Sequence, residues 1–153
     1  YEDIFNYAGQ MNIPIIGIDA EKILIAKVSK QGIKTVPADF LEKIKYTECA
    51  EEPEYEQMLG FAGQREYHQS GMPFLCDGQR LRDAVMAYNI SRILQADNST
   101  IVVMSGLVHA SKLAVPHMLQ KHAAGDYIVL MPEFIKYITN RNPDAGIADY
   151  IWY

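Results

Sequence analysis

The sequence predicts an α/β domain: a mostly parallel sheet flanked by helices, with a helical insertion over about 37–75. Three observations support this. The runs 13–18, 100–104 and 127–131 read as short strands, and the first is apolar on both faces, as a strand must be when helices cover its sheet on either side. Between them, apolar residues recur at the three- and four-residue spacing of an α-helix. Strands that alternate with helices pair in parallel and connect by right-handed crossovers.

The elements follow in order. Ile4, Phe5, Ala8 and Met11 place a helix over 1–11. The first strand, 13–18, ends at Asp19. Residues 21–31 are helical through Ile23, Leu24, Ala26, Lys27 and Val28, and Gly32 stops the helix. Pro37-Ala38-Asp39 opens a short helix. The stretch 51–69 is rich in Glu and Gln and helical in composition, interrupted by Gly60 and Gly63. It leads into a loop at 68–73. A long helix over 77–95 carries Leu81, Val85, Met86, Ile90, Ile93 and Leu94 as its apolar stripe, and Asn98-Ser99 breaks it. The second strand, 100–104, turns at Ser105-Gly106. A helix over 112–123 and the third strand, 127–131, come next. The tail is turn-rich and closes on Ala148-Asp149-Tyr150-Ile151-Trp152. Three strands are few for a doubly wound sheet, so a further N-terminal strand is expected upstream of Tyr1 or from another chain.

With 153 residues, 49% of them hydrophobic, one domain spanning 1–153 can bury about two thirds of its unfolded surface. The net charge of -5 and the scattered basic residues argue against a nucleic-acid partner, which needs clustered Lys and Arg. The acidic run from Glu48 to Glu56 reads as a solvated loop and helix start. No apolar run is long enough for a membrane span, and no basic-then-apolar opening reads as a signal peptide. Cys49 and Cys76 permit a disulfide without demanding one. They form no CxxC or CxxCH pattern, which disfavours covalent haem attachment and a cysteine-rich zinc site.

In open parallel sheets, ligands gather beyond the carboxyl ends of the strands. Asp19, Gly106 and His109 lie at such ends. Gly106 allows a tight turn and close approach of a ligand, and the helix after it is expected to direct free N–H groups into the same space. A neutral His109 can ligate a metal, hold a carboxylate or shuttle a proton. Gly and His three apart are common by chance, and a histidine after a strand is often structural. On the long helix, Gln79 and Asp83 share a face that Met86 and Ala87 extend inward. Asp83 is thus a candidate pocket carboxylate, with a surface pairing to Arg80 or a neighbour as the alternative. His117, after Pro116 in a helix's first turn, and His122, near that helix's end, read as surface residues.

The surrounding residues resemble the ChaN-like haem-binding uptake family. Asn12-Ile13-Pro14-Ile15-Ile16-Gly17-Ile18-Asp19-Ala20, followed by a helix and Lys30-Gln31-Gly32-Ile33, is similar to its "gIPvialNa … rqGl" stretch. Residues 79–87 resemble its "Q-x-x-x-D-E-x-M-A" helix, residues 102–109 with Ala114-Val115-Pro116-His117 its "vvvlaGnGH … gvP" segment, and residues 148–152 its closing "ADYvw". The matches run in family order. The chain departs from the pattern at Leu107-Val108, where the second glycine is lost, and at Ala84, which replaces a Glu. The family's N-terminal "GE…H" strand has no counterpart.

The resemblance implies an extracytoplasmic protein, periplasmic or an outer-membrane lipoprotein, that binds haem non-covalently and serves iron uptake. It also implies a homodimer with haem at its interface, a tyrosine iron ligand, and membrane association through a lipid anchor outside this chain. Gly106, His109, Gln79, Asp83 and Asp19 are then ligand-binding candidates. Tyr67, His68 and Tyr88 are the candidate iron ligands, the first two because a phenol and an imidazole stand together beside a Gly-Pro loop. The wider superfamily, with Tiki-like peptidases, TraB-like proteins and erythromycin esterase-like enzymes, shares the GxxH element. This leaves a metal-assisted hydrolase using His109 and nearby carboxylates, or a protein-docking domain without a ligand, as the alternatives.

Overall fold

The computed structural model describes residues 2–60, 71–96, 100–133 and 144–152. Its helices are α1 (Glu2–Gln10), α2 (Lys22–Gln31), α3 (Ala38–Lys43), α4 (Pro53–Leu59), α5 (Leu75–Ala96), α6 (Leu107–Ala110) and α7 (Val115–Lys121), and its strands are β1 (Leu130–Pro132) and β2 (Tyr150–Trp152). The protein is mostly helical with a small parallel sheet.

Helix α5 organises the fold. Proline-free for 22 residues, it extends about 33 Å at 1.5 Å per residue. Leu81, Ala84, Val85, Met86, Ala87 and Ile90 are all buried along it, a stripe too wide for one neighbour. Helices α2 and α7 both pack against it, contributing Val28 on one side and Val115, Met118 and Leu119 on the other. Gly78 marks the crossing with α2. Glycine costs about 1 kcal/mol inside a helix, but a Cβ here would collide with the Ser29 hydroxyl. The Ser29 carbonyl also accepts from the N–H of Phe74 at 3.0 Å.

Helix α4 begins with Pro53 in its first turn, where a missing N–H costs nothing. Tyr55, Met58 and Leu59 follow at helical spacing and are buried. The Cys49–Cys76 disulfide ties the chain just before α4 to the start of α5.

β1 and β2 pair in parallel with Leu130 opposite Tyr150, Met131 opposite Ile151 and Pro132 opposite Trp152. The Asp149 carboxylate accepts from the N–H of Val129 and from Lys112, at 2.8 and 2.6 Å. The broad sheet expected from the three apolar runs is not formed among the described residues. Residues 13–18 and 100–105 lie outside any strand ladder, and the third strand is shifted to begin at Leu130. An apolar run can suit a covered strand, but only a neighbour's N–H and C=O groups complete one. Ile18 and Ile101 do pack against the core, while Ile13, Ile15, Ile16, Val102 and Met104 are exposed. The helix expected over 112–123 forms as α7, Val115–Lys121, and the short α6 stands before it, separated by a turn at Ser111–Ala114.

Candidate functional site at the Asp83–His109 pair

Asp83 projects from the buried side of α5 and has no solvent exposure. Its Oδ1 lies 2.6 Å from Nδ1 of His109, and its Oδ2 accepts from the Tyr55 hydroxyl at 2.5 Å. Burial first, then the charge and hydrogen bonding of Asp83, push the Tyr55 phenol well above its ordinary range. The hydroxyl therefore stays protonated and donates. A carboxylate can only accept, so the proton between Asp83 and His109 belongs to Nδ1. In the neutral imidazole this leaves Nε2 with its lone pair, as in the arrangement by which a carboxylate orients a metal-binding imidazole. The ring lines a cavity of about 520 Å³ whose walls include Ile90, Leu94, Val103, Val115 and Tyr127.

This placement owes little to the glycine expected to make the turn. Gly106 has φ −61° and ψ 149°, angles open to any residue, and an added Cβ would meet His109 Cδ2 at an ordinary 3.7 Å. Nor is there a long helix to aim N–H groups at a ligand. Helix α6 is four residues long. What fixes His109 is the anchor on Asp83, so the surface pairing of Asp83 with Arg80 is not what forms.

Asp19 and Gln79 meet through Arg82 instead. Arg82 donates to Asp19 through Nη2 at 2.7 Å and Nε at 3.2 Å, and through Nη1 to Gln79 Oε1 at 3.0 Å. Burial is the largest single influence on Asp19 and opposes its ionisation. The hydrogen bonds from Arg82 and the Ala20 N–H, with the charges of Arg82 and His109, outweigh it and hold the carboxyl below its usual range.

A third polar group surrounds Arg80, which is fully buried. Its guanidinium stacks 4.5 Å from the Tyr55 ring centroid, donates from Nη1 to the Leu113 carbonyl at 3.1 Å, and brings Nη2 within 3.0 Å of Glu52 Oε1. His117 Nε2 and Lys121 Nζ reach the same oxygen at 3.1 and 3.3 Å. Burial alone would raise the Glu52 carboxyl, but Arg80, His117 and Lys121 together hold it down. Burial, with the charges of Lys121 and Arg80, lowers His117 despite Glu52. His117 is therefore half-buried and hydrogen-bonded to Glu52 rather than a plain surface residue.

Tyr88 stands apart from the cavity, its ring against Lys43, Arg92 and His122. Tyr67 and His68 lie outside the described residues. Reading the sequence missed Tyr55, Glu52 and Arg80. A signal was present: Cys49, Glu52 and Tyr55 meet Cys76, Arg80 and Asp83 in turn, each step being about one helical turn.

Among the described residues, no group of three or more His, Cys, Asp or Glu could hold a metal ion. A haem makes a smaller demand, because it brings its equatorial nitrogens and asks the protein for axial donors. No curated protein and no solved structure matches the chain. The family model described as haem-binding uptake, Tiki superfamily, ChaN matches residues 1–119, which contain α1 through α5, the Asp83–His109 pair and most of α7. The chain belongs to the ChaN haem-binding uptake family of the Tiki superfamily.

Proposed function

We propose that this chain binds haem non-covalently for iron uptake and does not turn over a substrate. The observation that carries the reading is the imidazole of His109, anchored through Nδ1 on a buried carboxylate and lining an apolar-walled cavity. Haem needs flat apolar walls, which Ile90, Leu94, Val103 and Val115 offer. It also needs a neutral nitrogen or a phenolate for its iron, which Nε2 of His109 would offer in the neutral imidazole. Bound haem would supply the iron centre, and His109 would be a residue that holds it. Asp83 would keep the ring of His109 oriented, and the apolar walls would exclude water. Tyr67 and His68 remain the second donors implied by the family resemblance.

An extracytoplasmic location accords with the Cys49–Cys76 disulfide, a bond that persists in oxidising compartments. Among the described residues, no helix is long and apolar enough to cross a membrane. Membrane attachment would therefore need another device, such as the lipid anchor expected from the resemblance. The expected homodimer belongs to the same proposal, and light scattering with and without hemin decides it.

The test is hemin titration followed by absorbance, in the native chain and in His109→Ala and Tyr67→Phe. Saturable binding in the native chain, weakened in His109→Ala, is expected. A linear, unsaturable response to micromolar hemin would overturn the proposal.

The Asp83–His109 pair favours one second reading. An imidazole oriented by a buried carboxylate is also a general base, and a hydrolase of the superfamily would use it so. Ester or peptide turnover that disappears in His109→Ala would establish that reading in place of pure binding.

A further inference from the structure

The contacts between the α4 region and α5 form a ladder. Cys49 is bonded to Cys76, Glu52 is paired with Arg80, and Tyr55 is hydrogen-bonded to Asp83. Positions advance by three on one side and by four and then three on the other, so each rung lies about a turn beyond the last. The final rung ends on the carboxylate that holds His109.

The phenol on that rung has a specific use. Phenylalanine would fill nearly the same space, and the ring packs against Arg80 with or without a hydroxyl. The Tyr55 oxygen has Asp83 Oδ2 as its hydrogen-bond partner. Asp83 is wholly buried, so water does not reach Oδ2 in its place. We infer that Tyr55 is a positioning residue for the ligand site: by fixing one oxygen of Asp83 it keeps the other on Nδ1 of His109, and so holds the imidazole in the orientation in which it lines the cavity. Without the hydroxyl, Oδ2 becomes a buried acceptor with no donor among the described residues. The carboxylate's terminal torsion is soft, so Asp83 turns to share both oxygens with the one remaining donor, and the imidazole loses its fixed tautomer and orientation. Any consequence for iron rests on the haem reading above, whereas the effect on the imidazole of the ligand-free chain does not.

Nitrogen-15 histidine NMR of the ligand-free full chain tests the inference. The native chain should show His109 as the Nδ1–H tautomer, with a far-downfield, slowly exchanging Nδ1 proton. In Tyr55→Phe that proton should exchange about tenfold faster or vanish, tenfold being roughly the equilibrium factor of one hydrogen bond of ordinary net strength. Met58→Ala supplies the control. Met58 is buried one turn along the same helix, and its sulfur accepts from the Ser111 hydroxyl. Its loss should lower thermal stability and leave the Nδ1 signal unchanged. The inference is overturned if Tyr55→Phe keeps the native tautomer and exchange rate, or if Met58→Ala disturbs them equally.

Should Tyr55→Phe not fold, the native chain decides alone. A slowly exchanging Tyr55 hydroxyl proton close to the His109 Nδ1 proton supports the inference, and its absence overturns it. Hemin separates the two readings. If the NMR outcome is as expected but the native chain does not bind hemin, the haem reading fails and the positioning role stands. If hemin binds equally to the native chain and to a Tyr55→Phe chain with unaltered NMR, the positioning role fails and the haem reading stands.

Discussion

Arg82 and Asp83 are neighbours on α5, and each holds a side chain from another part of the fold, yet they do so under opposite conditions. Arg82 grips Asp19 at the surface, where the Asp19 side chain is 41% exposed. Asp83 grips His109 with no exposure of its own. Water can replace Arg82 at Asp19 if that pair opens. At Asp83 every partner must come from the protein, and Tyr55 and His109 supply them. The contacts that fix geometry are those that water cannot replace.

The largest expected effect follows from emptying the buried pair. Asp83→Ala leaves the Tyr55 hydroxyl and the His109 Nδ1 proton without acceptors. Each buried donor left unsatisfied costs about 1–3 kcal/mol, a loss that a urea midpoint at neutral pH would read. A loss near that of an exposed pair would mean that the site is open to water.

Next comes the first rung of the ladder. Removing the disulfide frees a loop closed across 27 residues, worth about 3.5 kcal/mol by loop entropy. Mild reduction should therefore lower stability and disturb the Tyr55–Asp83 contact, while the Asp19–Arg82 pair, outside the ladder, should persist. Guanidinium unfolding with and without a dithiol checks the first point. Histidine NMR of the reduced chain checks the second.

A smaller effect is expected from pH. His117 and His122 are lowered chiefly by burial from an ordinary 6.5. Glu52 and Asp19 are held below 4.5 and 3.8 by their cationic neighbours, against the opposing pull of burial. A depressed folded-state pKa means that the folded chain binds fewer protons than the unfolded one. Its contribution is present above the unfolded pKa and is lost as pH falls through the folded value. Stability should thus decline below about pH 6.5 as the histidines are forced to charge, and decline further below about pH 4.5. A urea midpoint that rises on acidification from neutral would contradict this sign.

The smallest effect is expected at the exposed pair. Arg82→Ala should cost no more than about 1 kcal/mol and respond to salt. A larger loss would place Arg82 in the same class as Asp83.

The helical half of the molecule was largely legible in the sequence. The stripe from Leu81 to Ile90 has the α period, and those residues are the core of α5. Pro116 and Gly32 stand where a helix start and a helix stop require them. The apolar runs at 13–18 and 100–104 were misleading in one respect. Composition shows that a segment would suit a covered sheet but does not say which segment bonds to it. β2 went unrecognised for the converse reason: Tyr150-Ile151-Trp152 is too short to show a period. At the site, His109 and Asp83 were found separately, because a strand end and a helix face each leave a local mark. Their contact, and the part played by Tyr55, depend on residues 26 and 28 positions apart. No local pattern reports that pairing.

Hemin affinity in two variants tests most directly whether the buried pair, and not the exposed one, holds the ligand site. Asp83→Asn keeps the shape and removes the charge that orients His109, and should weaken hemin binding by about 10–100-fold, the usual cost of losing a partner behind a metal ligand. Arg82→Gln should leave it within about twofold, as befits a solvent-screened pair. Equal losses in both variants, or a loss in Arg82→Gln alone, would contradict the assignment of the site to Asp83 and His109.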